Sequence, residues 1–203
     1  MISAKEPTDI LVLEPSHFIV EGIKGIMAPE CNAGKITAVN SLMELAFSLN
    51  KMKKQVIVME LYNHTDNVCD SIRFILNIRP SYHQHRWIIL TDIFHEGISR
   101  LLSHPAAITL LPKSEALACI SGHLNNNIAS GTGYHDLHNP LSGGEWQILQ
   151  MMVRGIREKD ISTRLNRSYK TVSSQKLNIM RKLQLSKTDF LKLLLELRKR
   201  ALT

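Results

Sequence analysis

The chain has 203 residues, of which 44% are hydrophobic and 21% charged, enough for one large domain or two small ones. That composition excludes wholesale disorder, a collagen-like repeat and a disulfide scaffold, and the apolar runs fall far short of the ~18 residues that span a bilayer. The net charge of +7 is unevenly divided: residues 140–203 hold 14 Lys/Arg against 5 Asp/Glu, whereas residues 1–139 hold 11 against 13. Such asymmetry fits a polyanion-binding module joined to a neutral domain, and fits a merely solvated basic face equally well. Cys31, Cys69 and Cys119 are odd in number and scattered, and Lys5, Glu6 and Asp9 precede the first apolar stretch. Both features point to a reducing cytoplasm rather than to secretion.

In chain order, short β-type runs alternate with amphipathic stretches. Strands are predicted at Ile10–Leu13, Ile36–Val39, Gln55–Met59, Trp87–Leu90 and Ala107–Leu111. Helical spacing occupies Phe18–Met27, Leu42–Lys51, Asp66–Ile78, Glu96–Leu102 and Ser114–Asn125. Five strands separated by helices predict a parallel sheet covered on both faces. In such sheets functional side chains gather at the strand carboxyl ends, which here carry Glu14, Glu60, Thr91 and Lys113.

Residues 125–140 are rich in Asn, Ser, Gly and Pro with almost no apolar periodicity, and read as a linker. Beyond it everything reads as helix. Ser142 followed by Glu145 forms a capping box, and Gly155 is a stop signal. A helix over about 158–165, the turn Asn166-Arg167-Ser168 and a helix over about 169–183 make a helix-turn-helix pattern. A last helix at about 188–200 shows a Leu-rich face of Leu191, Leu194 and Leu195.

The helix from Tyr169 carries the binding chemistry. Val172, Ile179 and Leu183 share an inward face, leaving small and polar side chains outward near the helix N-terminus. In a helix-turn-helix that end enters the major groove, where hydroxyls and amides reach base edges. Lys170, Lys176, Arg181 and Lys182 are placed to neutralise phosphates, and exchange of Lys176 or Lys182 for Ala is expected to lower the salt dependence of binding. A helical bundle used for protein docking is the bland alternative.

From Leu141 to about Leu191 the chain resembles the LuxR-type helix-turn-helix of NarL/FixJ response regulators. The resemblance is carried by Leu141-Ser142, Glu145, Ile148-Leu149, Gly155, Ile161, Leu165, Ser168, Lys170-Thr171-Val172, Asn178-Ile179 and Arg181-Lys182-Leu183. The string from Leu165 to Lys176 is particularly similar to the Rcs/BglJ branch of capsule-synthesis regulators, with Gln175 where a histidine is common elsewhere. The resemblance implies a DNA site formed by Lys170, Thr171, Ser173, Ser174, Gln175, Lys176, Leu177, Arg181 and Lys182, with Ser173, Ser174 and Leu177 facing bases. It also implies an α/β plus all-α chain: a flavodoxin-like receiver domain (1–128), a linker (129–140) and a four-helix LuxR-type domain (141–203).

Residues 8–128 resemble the receiver more weakly, and with departures. Leu11-Val12-Leu13-Glu14-Pro15 is similar to the metal-binding first strand, Val56–Leu61 to the phosphoacceptor strand, and Thr91 and Lys113 to the switch threonine and the invariant lysine. Proline at position 15 offers no carboxylate to a hard cation, and Glu60 stands one methylene too long at the acceptor position. No phosphoryl transfer is expected. Glu60 is expected to pair with Lys113, either imitating the phosphorylated state or forming an inert salt bridge in a decayed pocket.

Other patterns are weaker. Leu141–Gln147 mimics the ABC-ATPase signature, but no G-x-x-x-x-G-K-[ST] loop precedes it. Gly131-x-Gly133 is a linker fragment. His83-x-His85 and His135-x-x-His138 lack further ligands and read as surface histidines, so no metal and no cofactor is expected. The chain therefore reads as a cytoplasmic, non-enzymatic transcription regulator that binds double-stranded DNA, with no membrane partner. A dimer is expected, either with itself or with a related Rcs-type response regulator, and RNA polymerase is a further candidate partner. The competing readings are an adaptor that pairs with another regulator without touching DNA, and a switch phosphorylated on a non-aspartate acceptor.

Overall fold

A computed structural model of the chain describes residues 8–30, 33–50, 53, 55–93, 95–102, 108–118, 120 and 141–199. They form two compact units, one built on a sheet and one made of helices. The linker expected at 125–140, His135 and His138 lie outside the described residues.

In the first unit, β1 (Thr8–Leu13), β2 (Ala33–Val39), β3 (Gln55–Glu60), β4 (Arg86–Leu90) and β5 (Ile108–Leu111) form one sheet in the order β2-β1-β3-β4-β5. Every neighbouring pair is parallel. This is the flavodoxin-like doubly wound order, with the topological switch beside β1. The strands are Val/Ile/Leu-rich because both faces are covered. Ile10, Val12, Val56, Val58, Ile88 and Leu90 turn to one face and pack with Val20 and Ile23 of α1 (His17–Glu30) and with Ala116 and Ile120. Leu11, Leu13, Ile57, Met59, Trp87 and Ile89 point the other way and are equally buried. Their cover comes from α2 (Leu42–Ser48) and α3 (Val68–Ile78), whose crossovers return on that side. Ser41 caps α2 and Asn67 caps α3, each accepting from the third residue on.

One sequence expectation fails here. His83 is exposed, but His85 is buried at 1% exposure, its ring 5.2 Å from that of Tyr82. Its position immediately before β4 directs the side chain inward, and burial pushes the imidazole below its ordinary pKa, helped by the neighbouring His83.

The second unit takes in α4 (Glu96–Leu102) and four C-terminal helices, α5 (Gly143–Val153), α6 (Glu158–Arg164), α7 (Tyr169–Lys182) and α8 (Lys187–Lys199). Trp146, Ile148, Leu149, Ile161, Val172, Ile179, Leu183, Phe190, Leu193 and Leu197 form its buried interior. The Ser142–Glu145 capping box is present in full. Three of these helices end in the same way. Gly155, Asn166 and Gln184 have φ of +78°, +49° and +50°. Each N–H, and that of the following residue, closes back on the last turn: Gly155 on Met152 and Ile156 on Met151, Asn166 on Thr163 and Arg167 on Ser162, Gln184 on Arg181 and Leu185 on Met180. These are Schellman motifs, and the one at Asn166 sets the tight turn between α6 and α7.

The Leu-rich face read on the last helix is not the one that packs inside this domain. Phe190, Leu193 and Leu197 are buried, whereas Leu191 and Leu195 are exposed. With leucine at so many positions, tertiary packing rather than the leucine pattern selects the inward stripe.

Candidate nucleic-acid interface and receiver pocket

Ser168 caps α7, its Oγ accepting the N–H of Thr171 at 3.0 Å and lying 2.8 Å from the Thr171 hydroxyl. Val172 and Ile179 are fully buried, so the opposite side of α7 is fixed outward. At 3.6 residues per turn, that side carries Lys170, Ser174, Leu177 and Arg181 in a line, all four exposed. Tyr169, which sequence reasoning did not select, is 57% exposed at the first helical position. Its only sequence signal is its place directly after the cap residue.

The other expected DNA residues flank this line. Thr171 is exposed but engaged with the cap, and Ser173 is half-buried. Gln175 accepts from the Arg167 guanidinium at 3.0 Å. Lys176 donates to Glu158 at 2.7 Å, both side chains about one-fifth exposed. Lys182 donates to Glu145, also at 2.7 Å. Burial alone would raise the Glu145 carboxyl, but the Lys182 ammonium and the Ser142 groups outweigh it and hold it below its ordinary value. Among the described residues, Lys170 and Arg181 have no carboxylate partner.

At the carboxyl ends of the strands, Glu14 follows β1, Glu60 ends β3, Thr91 follows β4 and Lys113 follows β5. The Lys113 ammonium lies 2.8 Å from Glu60 and 2.9 Å from Glu14, so one cation is shared between two buried carboxylates. The expected Glu60–Lys113 pair is present, and Glu14 is a second partner. Glu60 Oε1 accepts the Leu61 N–H and Glu14 Oε1 accepts the Ser16 N–H, both at 3.0 Å. Among the described residues, Glu14 Oε2 is buried without a hydrogen-bond partner. Thr91 is buried, and its N–H donates to Leu111 across the sheet.

Burial pushes the Glu60 carboxyl above its ordinary value against the pull of Lys113. Burial would lower Lys113, but the hydrogen bonds it donates to Glu60 and Glu14 hold its ammonium above the usual lysine value. A divalent cation does not fit this arrangement. Pro15 supplies no carboxylate, the two acids present are already bridged by an ammonium, and among the described residues no three His, Cys, Asp or Glu side chains converge on one point.

A parallel sheet with acids, threonine and lysine at its strand ends, followed by a helix-turn-helix, defines a response-regulator type of protein. The family model "Bacterial regulatory proteins, luxR family" matches residues 139–190. The transcriptional regulatory protein RcsB of Escherichia coli (strain K12) is 30% identical over 153 residues, covering 67% of this chain and 69% of that protein, and RcsB of Salmonella typhimurium (strain LT2) gives the same figures. The chain belongs to the LuxR-type response-regulator family that includes RcsB. Among solved structures, RcsB from Salmonella enterica serovar Typhimurium bound to promoter rprA has a TM-score of 0.58 at 22% identity, covering 95% of this chain and 98% of that one. A structure of two RcsB dimers bound to two parallel DNAs gives 0.56 at 20% identity, covering 96% and 98%. These likenesses are of fold.

Proposed function

We propose that this chain is a sequence-specific DNA-binding transcription regulator whose receiver-like domain works without phosphorylation, as a dimeric or auxiliary subunit. The observation that carries the DNA reading is the outward line of Lys170, Ser174, Leu177 and Arg181 on a capped helix whose inner face is locked by Val172 and Ile179. Two cations near the ends of the line supply phosphate attraction, and the residues between them can reach base edges. The similar RcsB structures include DNA complexes and dimers on DNA, which supports the same use of the helix here. One such domain covers a half-site, so a two-fold partner completes the site. Pro15, which offers no carboxylate to a metal, and Glu60, one methylene longer than the usual acceptor, support phosphorylation independence.

The test is selection by the purified protein from a random-sequence duplex pool over a salt series. A two-fold-symmetric site retained at physiological salt is the result expected of a homodimer. Weak binding that disappears with salt means that another subunit completes the specificity. No labelling is expected from a small phosphodonor with Mg²⁺, and labelling would overturn the phosphorylation-independent half.

One observation favours the adaptor as a second reading: Lys176 and Lys182 are neutralised inside their own domain. Regulation that survives exchange of both Lys170 and Arg181 for Ala would support it. Localisation in the cytoplasm and contact with RNA polymerase belong to this proposal as well.

A further inference from the structure

Leu177 is 60% exposed in the middle of an otherwise polar, cationic line. Ser174 stands one turn before it and Arg181 one turn after, with Lys170 two turns before. An apolar side chain held among like charges, on the side of α7 facing away from the interior, has no packing role within this domain. The charge around it is complementary to a nucleic-acid backbone.

We infer that Leu177 reads the 5-methyl group of a thymine in the major groove, fixing one T·A pair in each half-site by apolar contact. This rests on the DNA-binding reading above and adds the base to it. Among the groups that base edges present in the major groove, the thymine methyl is the apolar one. Leucine can neither donate nor accept a hydrogen bond. Set against the N4 amino group of cytosine or O6 of guanine, it would strip water from a polar group and return nothing. Lys170 and Arg181 position the helix through the phosphates, Ser174 is free to hydrogen-bond a neighbouring base, and Leu177 discriminates by shape and hydrophobicity.

The experiment uses the full-length protein and its Leu177→Ala variant, selected in parallel from a random duplex pool. The site enriched by the wild type is then resynthesised with each thymine replaced in turn by deoxyuridine, which removes only the methyl group. One thymine per half-site is expected to lose about four-fold in affinity on this replacement, in line with burial of one methyl. Leu177→Ala is expected to bind the thymine and uracil forms of that position equally and to enrich the same half-site without that fixed pair. Matching urea midpoints of the two proteins confirm that the variant is folded. A wild type indifferent to every uracil replacement overturns the methyl contact while leaving DNA binding intact, and would assign Leu177 to a protein contact. Equal uracil sensitivity in both proteins overturns it too, by moving the methyl contact to another residue. Failure of the wild type to bind duplex DNA at any salt concentration overturns the DNA-binding reading itself and this inference with it.

Discussion

The ammonium of Lys182, in the last turn of α7, lies 2.7 Å from the carboxylate of Glu145 in the first turn of α5. The same Glu145 oxygen accepts the Ser142 N–H at 2.7 Å and closes the capping box. One carboxylate therefore caps one helix and ties down the end of another. Glu145→Ala is expected to lower stability by about 1–2 kcal/mol, from loss of the cap interaction and of a hydrogen bond to a charged group. Urea unfolding checks this, and Glu145→Gln, which still accepts the Ser142 N–H, is expected to lose less.

The pH dependence of that tie has a definite sign. The Glu145 carboxyl is held below its ordinary value in the folded chain, so the folded state favours its ionised form. The stability it contributes is present above the unfolded pKa and is lost as pH falls through the lower, folded pKa. Glu145→Gln should therefore flatten the acid limb of a stability profile run from about pH 7 to about pH 3. A limb equally steep in the variant would assign acid sensitivity elsewhere.

Salt dependence separates the cations that have a carboxylate partner among the described residues from those that have none. Lys170→Ala and Arg181→Ala are each expected to reduce the slope of log affinity against log salt by about 1. Lys176→Ala and Lys182→Ala should change it less, because Glu158 and Glu145 already offset those charges. Equal slopes across the four variants would show that the ion pairs open on DNA.

Lys113 is a cation shared by two buried acids. Lys113→Met leaves those acids facing each other without compensation and is expected to cost about 3–5 kcal/mol. Adding Glu14→Gln and Glu60→Gln to Lys113→Met should recover much of the loss in urea unfolding. No recovery would mean that the lysine stem, rather than its charge, supports the fold.

Gln184 adopts the left-handed conformation with φ +50° at the end of α7, where glycine or asparagine is the usual occupant. Gln184→Gly is expected to raise stability by up to about 1 kcal/mol, read as an upward shift of the urea midpoint.

Where a property depended on neighbours in sequence, it was legible. The strand alternation, the Ser142–Glu145 box, the Gly155 stop and the inward Val172 are local patterns with one structural solution each. Glu14, Glu60, Thr91 and Lys113 were located because strand ends are legible, whereas the Glu60–Lys113 pair was an expectation drawn from the receiver resemblance. What sequence reasoning did not reach needed tertiary contact. Glu158 meets Lys176 across 18 residues and Glu145 meets Lys182 across 37, distances at which no helical spacing rule operates. Leu191 and Leu195 match the apolar pattern of Leu193 and Leu197, and only packing divides them. His85 looked like surface because its neighbours are polar, yet the strand it leads into carries it inside.

The ammonium between Glu14 and Glu60 belongs to the polypeptide, so no phosphatase can strip it and no shortage of donor can withhold it. If the pocket takes no phosphoryl group, as proposed, the regulator has no phosphorylation-set off state to return to. Under the proposal made here, occupancy of its operator then follows mass action: how many copies of the chain are made, how fast they are destroyed, and how much of the second subunit is present. Its signal would be a dose.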